Sequence, residues 1–470
     1  MEWKTLLSTR RMRGNYGKTI ADTTDLRSEF EKDYHRIIGS ASFRRLQDKT
    51  QVFPLDKSDF IRTRLTHSIE VSSFAKSLGQ NIGENVLKYK KDSGFTYRMK
   101  EDIGNILQCA GLIHDIGNPP FGHFGELAIR EWFEYNLPRL TFFGKPINQM
   151  LNAQMLSDFY NFEGNAQALR LVTRLHYLVD EHGMNLTYAL LNTIIKYPVA
   201  STGIDHTTGN IKDKKMGYYL ADQEIFREIT AETGTFGNRH PLTYILEAAD
   251  DLAYRTADIE DAFVKGFISY HDLVKELDCF QKKYPDSKFA ALEKLVTLYD
   301  RAVQKGEKNP AEYAVKNWIV RAQGFLITCA TYGFTSHYEA IMAGTYKYDL
   351  FYGTFGEHLM DLMGDMAYRY VFASTAIYKM EISEQVILSF LMDKLVQAVL
   401  YSDTDEKADS LNLRMMALFS DNYVNAYHLQ SQGRSEAEKL YLRLLLVTDY
   451  VCGMTDGYAK RLYQELNGII

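Results

Sequence analysis

The chain has 470 residues, a net charge of −6 and a hydrophobic fraction of 46%, which exclude a disordered chain and a surface that coats duplex DNA indiscriminately. Its four cysteines (Cys109, Cys279, Cys329 and Cys452) are widely spaced, so we expect reduced thiols and no disulfide framework. The amino terminus lacks the apolar core of a signal peptide, and no apolar run approaches the ~20 residues of a membrane span, so the sequence predicts a cytoplasmic protein without membrane contact.

Helical periodicity dominates the chain and predicts an all-α fold. A long amphipathic helix is indicated by apolar residues at intervals of four or five: Leu65, Ile69, Phe74, Leu78, Ile82 and Val86. The next helix, at about 102–116, ends at the dipeptide His114-Asp115 before a Gly-Asn-Pro-Pro break at 117–120. Further helices are predicted over 148–160, 164–182, 185–197 (with Asn185 as its cap) and 241–264.

Two polar, basic stretches interrupt this pattern. They contain Arg10, Arg11 and Arg13 near the start, and Lys212, Lys214 and Lys215 in the segment 201–215. Either cluster could face phosphate groups, but a solvated tail and a solvated loop are the favoured interpretations. The low hydrophobicity of 201–215 indicates a surface loop, which would be either a lid over a pocket or an exposed connector.

Four residues form the pattern H…HD…D. His67 lies near the start of one predicted helix, His114 and Asp115 end the next, and Asp250 lies far downstream. Two imidazoles and two carboxylates suit a first-row divalent metal, because such ions accept mixed nitrogen and oxygen ligands. The dipeptide alone carries little weight, since a second one occurs at 271–272 without companions. The combination predicts a metal site.

Side-chain directions on the helix predicted over 241–264 favour one of two adjacent aspartates as the fourth metal ligand. Asp250, Tyr254 and Asp258 are spaced i, i+4 and i+8, so they share one helix face, whereas Asp251 points elsewhere. Asp250 is therefore the predicted ligand. Tyr254 and Asp258 are expected to face the same cavity.

Other polar residues suggest what the metal site acts on. Arg64 lies one turn before His67, and Lys196 and Tyr254 could add a charge and a hydroxyl donor, so together they suit a phosphate group. His123 and Glu126, at i and i+3 beyond the break, could perform acid/base work in either direction. The structural alternative for His123 is a ring packed between neighbouring phenylalanines.

Several separated motifs resemble the bacterial dGTP triphosphohydrolases of the HD superfamily. They are Arg44-Arg45-Leu46-Gln47, Lys49 to Pro54, Thr63 to Ser68, Gly111 to Glu126, Phe162 to Gln167, Ile195 to Pro198 and Glu247 to Tyr254. The match covers about residues 34–265 and implies an HD-domain helical bundle as catalytic core. Residues 1–33 would form an N-terminal arm, and 266–470 are assigned by continuity to a further helical region.

The resemblance implies water attack on the α-phosphorus of a deoxynucleoside triphosphate, with dGTP favoured, releasing deoxynucleoside and tripolyphosphate. His67, His114, Asp115 and Asp250 would bind Mn²⁺, Mg²⁺ or another first-row metal. Arg64, Lys196, Tyr254 and Asp258 would surround the triphosphate, and Gln51 matches the position that reads the sugar. Relatives form hexamers or tetramers, and some respond to a nucleotide or single-stranded DNA effector.

Two alternatives remain from the sequence. The first is another HD phosphohydrolase, either a nucleotidase or a cyclic-nucleotide phosphodiesterase. The identity of the reaction products would distinguish these activities from a triphosphohydrolase. The second is a nucleotide- or single-strand-DNA-binding regulator with an inactive site. The sequence retains all four predicted ligands and the His123/Glu126 pair, which argues against an inactive site.

Overall fold

The computed structural model describes most of the chain, namely residues 1–13, 25–51, 62–90, 92–176, 180–404 and 409–469. Across these ranges the fold is all-α, as predicted, and its strand content is one two-residue hairpin in which β1 (Thr141–Phe142) pairs with β2 (Lys145–Pro146). No helix in the described ranges is both long enough and apolar enough to cross a membrane.

The α-helices of the described ranges are α1 (Trp3–Leu6), α2 (Glu29–Ile38), α3 (Ala41–Arg44), α4 (Arg64–Asn85), α5 (Tyr97–Ile113), α6 (Gly122–Asn136), α7 (Ala153–Tyr160), α8 (Gly164–Arg170), α9 (Tyr188–Thr193), α10 (Gln223–Glu232), α11 (Pro241–Val264), α12 (Tyr270–Lys283), α13 (Ala291–Lys305), α14 (Pro310–Ser336), α15 (Tyr338–Ala343), α16 (Glu357–Ala367), α17 (Thr375–Leu400), α18 (Ser410–Met416), α19 (Asp421–Ser431), α20 (Glu436–Cys452) and α21 (Asp456–Leu466). Short π-helical turns cover Val86–Lys90, Leu171–Leu175 and Tyr368–Phe372, and 3₁₀ turns cover Arg45–Asp48, Ile147–Gln149, Ser201–Gly203, His206–Thr208, Ile211–Asp213 and Leu220–Asp222.

Helices α4 and α5 pack closely and bring two predicted ligands together. A capping box of Thr63 and Thr66 starts α4, and the Thr96 side chain caps α5. Gly111 allows the approach, because a Cβ atom there would lie 2.5 Å from the Cα atom of Ser72 on α4. The long helix predicted from periodicity is confirmed as α4.

Helix α11 has the bounds predicted from the sequence. Pro241 occupies its first position, and the His240 Nδ1 atom accepts a hydrogen bond from Leu242 N, which caps the helix. The helix packs against α4, α5, α14 and α16, so most of its length is buried.

The helices predicted between 148 and 197 exist but are shorter. Asn185 is not a helix cap: its φ is +50°, its side chain accepts from Arg13 N at 3.2 Å, and its carbonyl accepts from Arg11 and Arg36. Asn185 thus binds the N-terminal segment through Arg11 and Arg13, and α9 begins later in the chain, after Thr187.

The N-terminal segment is not a solvated tail, which corrects the favoured interpretation. Trp3 and Leu6 are buried, and Arg11 is buried in an ion pair with Asp33 at 2.5 Å. The other two arginines also meet carboxylates of the chain: Arg10 pairs with Glu232 at 2.9 Å and Arg13 pairs with Asp180 at 2.5 Å. Long-range pairing explains the cluster better than phosphate binding does.

The C-terminal helices share the hydrophobic core of the rest. Helix α17 packs against α6, α20 and α21, and α20 is buried along most of its length. The same cluster of buried apolar residues includes Leu6, Val71, Leu246 and Leu445. One core therefore spans the three segments predicted from the sequence, and their boundaries stay a prediction.

Candidate metal centre and substrate cavity

The four predicted metal ligands lie together. One ligand atom each from His67, His114 and Asp115 falls within 4.8 Å of the others. Asp250 Oδ1, from α11, lies 3.2 Å from His67 Nε2 and 3.3 Å from His114 Nε2. Three separate parts of the chain (α4, the end of α5 and α11) thus supply one site.

The surroundings of His114 prepare it to bind a metal. Its Nδ1 atom lies 2.8 Å from the carbonyl oxygen of Gly111, which can only accept, so Nδ1 carries the hydrogen and donates it. The other nitrogen, Nε2, is buried 3.3 Å from Asp250 Oδ1 and 3.6 Å from Asp115 Oδ2, makes no hydrogen bond within the described residues, and is the atom left to bind a metal. A carbonyl-oriented imidazole of this kind is the usual form of a metal-ligating histidine.

Two cations neutralise the two carboxylates. Arg64 Nη1 donates to Asp115 Oδ2 at 2.5 Å, and Lys196 Nζ donates to Asp250 Oδ2 at 2.7 Å. Burial disfavours the charged form of both carboxyl groups, but these cations and His114 outweigh it and hold the pKa values of Asp115 and Asp250 below the usual range. Both ligands are therefore ionised at neutral pH, as a divalent metal requires.

His123 and Glu126 form the predicted pair. His123 Nδ1 lies 3.1 Å from Glu126 Oε2, while the other carboxylate oxygen accepts from Gly164 N at 2.7 Å. The His123 side chain is 74% exposed, so its ring is not packed between phenylalanines, whereas Glu126 is buried. The hydrogen bond with Glu126 raises the pKa of His123.

The break after Asp115 forms a left-handed turn. Phe121 and Gly122 have φ values of +66° and +60° and lead directly into α6, which carries His123. A Cβ atom at Gly122 would lie 2.2 Å from Arg64 Nη2. Only glycine therefore lets this guanidinium group approach the turn.

A cavity of about 540 Å³ opens beside the candidate metal centre. The predicted site residues in its wall are Gln51, Arg64, Asp115, His123, Lys196, Asp250 and Tyr254. This volume is that of an ordinary small-molecule site. Asp258 lies one turn beyond Tyr254, buried and outside the described cavity wall, so its substrate contact stays a prediction.

Asp251 differs from the sequence expectation in one respect. It also lines the cavity, so it does not point away from the site as predicted. Burial, together with the Glu247 carboxylate, raises the pKa of Asp251 to about 7. Asp250 is nevertheless the aspartate whose oxygen lies within 3.3 Å of both histidines.

The loop 201–215 borders this cavity and is not a detached connector. Ile211, Lys214 and Lys215 line the cavity, and Lys215 Nζ pairs with Glu163 Oε2 at 2.8 Å. The backbone of Ile211 donates to Lys347 O at 3.0 Å, which ties the loop to the C-terminal half. Lys214 and Lys215, for which a solvated loop was the favoured interpretation, thus add positive charge to the cavity, whereas Lys212 does not line it. A lid role for the loop stays a prediction.

Sequence reasoning missed the wall of the cavity that the C-terminal half supplies. The missed residues include Phe372, Met380, Glu381 and Glu384, and the equally unpredicted Arg255 comes from α11. Glu384 is 2% exposed, and its Oε1 atom has no hydrogen-bond partner within the described chain. Its only sequence signal was a carboxylate in a strongly apolar helix.

Two protein-family models match the chain: the HD domain over residues 64–186 and the phosphohydrolase-associated domain over 357–465. The histidine and aspartate centre thus lies in an HD-domain protein. The second match reaches the region in which no motif was recognised from the sequence.

Comparison with individual relatives makes the family assignment more specific. The chain is 46% identical to a deoxyguanosinetriphosphate triphosphohydrolase-like protein of Listeria innocua and 34% identical to one of Synechocystis sp., with 100% of each chain covered. It is 31% identical to the deoxyguanosinetriphosphate triphosphohydrolase of Yersinia enterocolitica, with 96% of each chain covered. The chain belongs to the family of deoxyguanosinetriphosphate triphosphohydrolase-like proteins, which confirms the resemblance.

Proposed function

We propose that the protein is a metal-dependent deoxynucleoside triphosphate triphosphohydrolase that prefers dGTP. The observation that carries the proposal is the cluster of His67, His114, Asp115 and Asp250 beside a cavity whose wall brings four cations to the same region, namely Arg64, Lys196, Lys214 and Lys215. The names of the relatives support the same reaction class.

The donor set fits Mn²⁺, Mg²⁺ or another first-row ion, with the mixed ligands favouring a transition metal. A divalent cation held there would supply positive charge beside the α-phosphoryl group and a means of activating water at neutral pH. Arg64 and Lys196 would bind phosphate oxygens from the same wall, and Lys214 and Lys215 would meet the far end of the triphosphate. Burial raises the pKa of Tyr254, which therefore remains a neutral hydroxyl donor.

His123 fits the role of proton donor. Attack by water forms a new bond from oxygen to the α-phosphorus and breaks the bond from phosphorus to the 5′ oxygen, which must gain a proton to leave as the deoxynucleoside. The ring lines the cavity and has a raised pKa, so its protonated form is available for this transfer. Glu126 would hold the ring through Nδ1 and leave Nε2 to face the substrate.

The base preference is supported by Glu384. Guanine presents two donors, N1–H and the N2 amino group, on one edge. The ionised form of Glu384 can accept from both, and because burial raises the pKa of Glu384 to about 8, the preference should be strongest at alkaline pH. Adenine presents a donor next to an acceptor on that edge, which a carboxylate pairs with less well. Gln51, with an unpartnered buried Oε1 in the same cavity, would contact the sugar hydroxyl.

A product assay tests the function. Purified protein with Mn²⁺ or Mg²⁺ is given each dNTP singly and all four together, and products are separated by anion exchange. Deoxynucleoside plus tripolyphosphate supports the proposal, with dGTP turned over fastest. Monophosphate or diphosphate products would instead indicate another HD phosphohydrolase, and nucleotide or DNA binding without turnover would favour the regulator.

We further propose that a nucleotide effector binds in a second cavity, of about 350 Å³. Its wall includes His35, Arg36, Arg44, Arg45 and His176, and no carboxylate among the described residues that line it. Burial and the neighbouring arginines lower the pKa of His176, consistent with a positive local potential. Such a surface suits a triphosphate.

The effector proposal has its own test. Arg44→Ala should abolish any stimulation seen in the dNTP mixture and preserve turnover of a single dNTP, since Arg44 lines only the second of the two cavities. Hexamer or tetramer assembly and a single-stranded DNA effector are also proposed from the family resemblance. A cytoplasmic location is proposed as well, as expected from the sequence.

A further inference from the structure

The segment 49–50 joins three parts of the active site through buried polar contacts. Lys49 O accepts from Arg64 N at 2.9 Å, which fixes the start of α4. Lys49 Nζ donates to Asn118 O at 2.5 Å and to Cys452 O at 2.6 Å. Asn118 in turn donates from its side chain to Asp115 Oδ1 at 2.8 Å. The segment therefore links the end of α20 to the turn that carries a metal ligand.

Asp456, the first residue of α21, holds the same region from the C-terminal side. Its side chain is 2% exposed. Oδ2 accepts from the backbone N of Thr50 at 2.8 Å and also from the Thr50 hydroxyl group, and Oδ1 accepts from Phe121 N at 2.9 Å. One buried carboxylate thus receives three donors from two separate segments.

The two segments flank different substrate contacts. Phe121 has a left-handed backbone, which costs a non-glycine residue about 1 kcal/mol or more, and its position sets the start of α6 and therefore of His123. Thr50 is followed directly by Gln51, which lines the cavity. A shift of the Asp456 carboxylate would therefore displace both Gln51 and the start of α6 that carries His123.

We propose that Asp456 is a positioning residue that fixes His123 and Gln51 relative to each other, so that recognition of the sugar and proton transfer depend on one another. The proposal rests on the function proposed above. A carboxylate is required because both oxygens accept, whereas an amide would place an NH₂ group against one of the two backbone N–H groups. A C-terminal helix outside the metal centre would thereby set the geometry of catalysis.

The decisive variant is Asp456→Asn. We expect kcat/KM for a dNTP to fall roughly 10- to 100-fold, the scale of one buried donor left unsatisfied. The loss should be smaller for the matching 2′,3′-dideoxynucleoside triphosphate, because the contact to the 3′ hydroxyl is already absent. The preference for the 3′ hydroxyl should therefore shrink, and bound metal should stay at the wild-type level.

Asp449→Asn is the matched control. Asp449 is equally buried on α20, but its carboxylate pairs with Arg170 and Gln167, away from the cavity wall. It should lower stability and leave the preference for the 3′ hydroxyl unchanged. A purely structural role for Asp456 would produce this control behaviour.

Amide hydrogen exchange separates the inference from the proposed activity. In the Asp456→Asn variant, at least one of the Phe121 and Thr50 amides should exchange faster, because the asparagine oxygen can accept from only one of them, while both stay protected in the control. If the wild type releases no tripolyphosphate, the proposed function fails, and only the exchange data then test the positioning role of Asp456. Unchanged exchange at both the Phe121 and the Thr50 amides would overturn the inference. If the wild type is active, equal losses on the deoxy and dideoxy substrates, or no loss, would overturn it.

Discussion

If the proposed function holds, we expect the buried carboxyl group of Glu384 to make base selection sensitive to pH. Burial, with the Asp456 and Glu381 carboxylates nearby, raises the pKa of Glu384 to about 8. The neutral acid donates one hydrogen and accepts another, so it can pair with guanine through O6 and N1–H or with adenine through N1 and N6–H. The ionised form only accepts and therefore favours guanine.

The size of the effect follows from the ionised fraction. With a pKa of about 8, roughly a tenth of Glu384 is ionised at pH 7 and roughly three quarters at pH 8.5. Both forms pair with guanine but only the neutral form pairs with adenine, and the neutral fraction falls from roughly nine tenths to roughly a quarter. The dGTP-to-dATP ratio of kcat/KM should therefore rise about fourfold over that range, because kcat/KM reports the free enzyme. A bidentate base contact supplies about 1–3 kcal/mol of discrimination, enough for such a change to be seen.

The assay measures both substrates at each pH, below the range in which guanine loses its own N1 proton. The ratio cancels effects that both substrates share, including the titration of His123 and of the phosphates. Glu384→Gln should flatten the pH dependence, because an amide pairs with either base. Glu381→Gln, one turn earlier in the same wall, should keep a pH dependence but move its midpoint to lower pH, because one of the carboxylates that raise the pKa of Glu384 is removed. A wild-type ratio independent of pH, or a Glu384→Gln variant that keeps the slope, would refute the reasoning.

Three further predictions concern the metal, the proton donor and the fold. Asp250→Ala should abolish metal binding and activity, whereas Asp251→Ala should retain metal; equal losses of metal by elemental analysis would contradict the ligand assignment. His123→Ala should keep the metal and lose roughly 10²-fold in turnover. Glu126→Gln should lower the His123 pKa and move the alkaline limb of the pH–rate profile to lower pH. If that limb did not move, its assignment to His123 would be wrong. Burial lowers the pKa of His240 to about 4, below its unfolded value, so folding stability should be lost as pH falls from about 6.5 towards 4, by up to about 3 kcal/mol. His240→Asn, measured by urea unfolding against pH, should remove that part of the acid sensitivity, and an unchanged slope would contradict it.

The parts of the site that were predictable from sequence are those set by local patterns. The helix at 241–264 carries a proline at its start and a continuous buried face, and its bounds emerged as expected. The spacing of Asp250 and Tyr254 on one turn placed both at the cavity. His114 was expected at a helix end because of the break after it, and it is the C-cap of α5.

The parts that were not predictable depend on contacts between distant residues. Arg11 has the same local signal as a solvated arginine, and only the fold brings Asp33 against it. Lys215 lies in a polar loop, yet it reaches Glu163. Glu384 gave no motif, because a single carboxylate in an apolar helix acquires its chemistry from what the fold places opposite it.

These distant contacts also bear on the predicted core at 34–265. The cavity wall needs Glu384 from α17, the turn that leads into His123 needs Asp456 from α21, and the buried Lys49 ammonium group needs the Cys452 carbonyl. Without those partners, two backbone N–H groups and a lysine would lose buried acceptors, at a cost of about 1–3 kcal/mol each. The metal ligands and the groups that contact them directly lie within 34–265, but part of the cavity wall and the carboxylate that holds the turn before α6 do not. We therefore expect a core cut at 34–265 to need the C-terminal helices for an intact site.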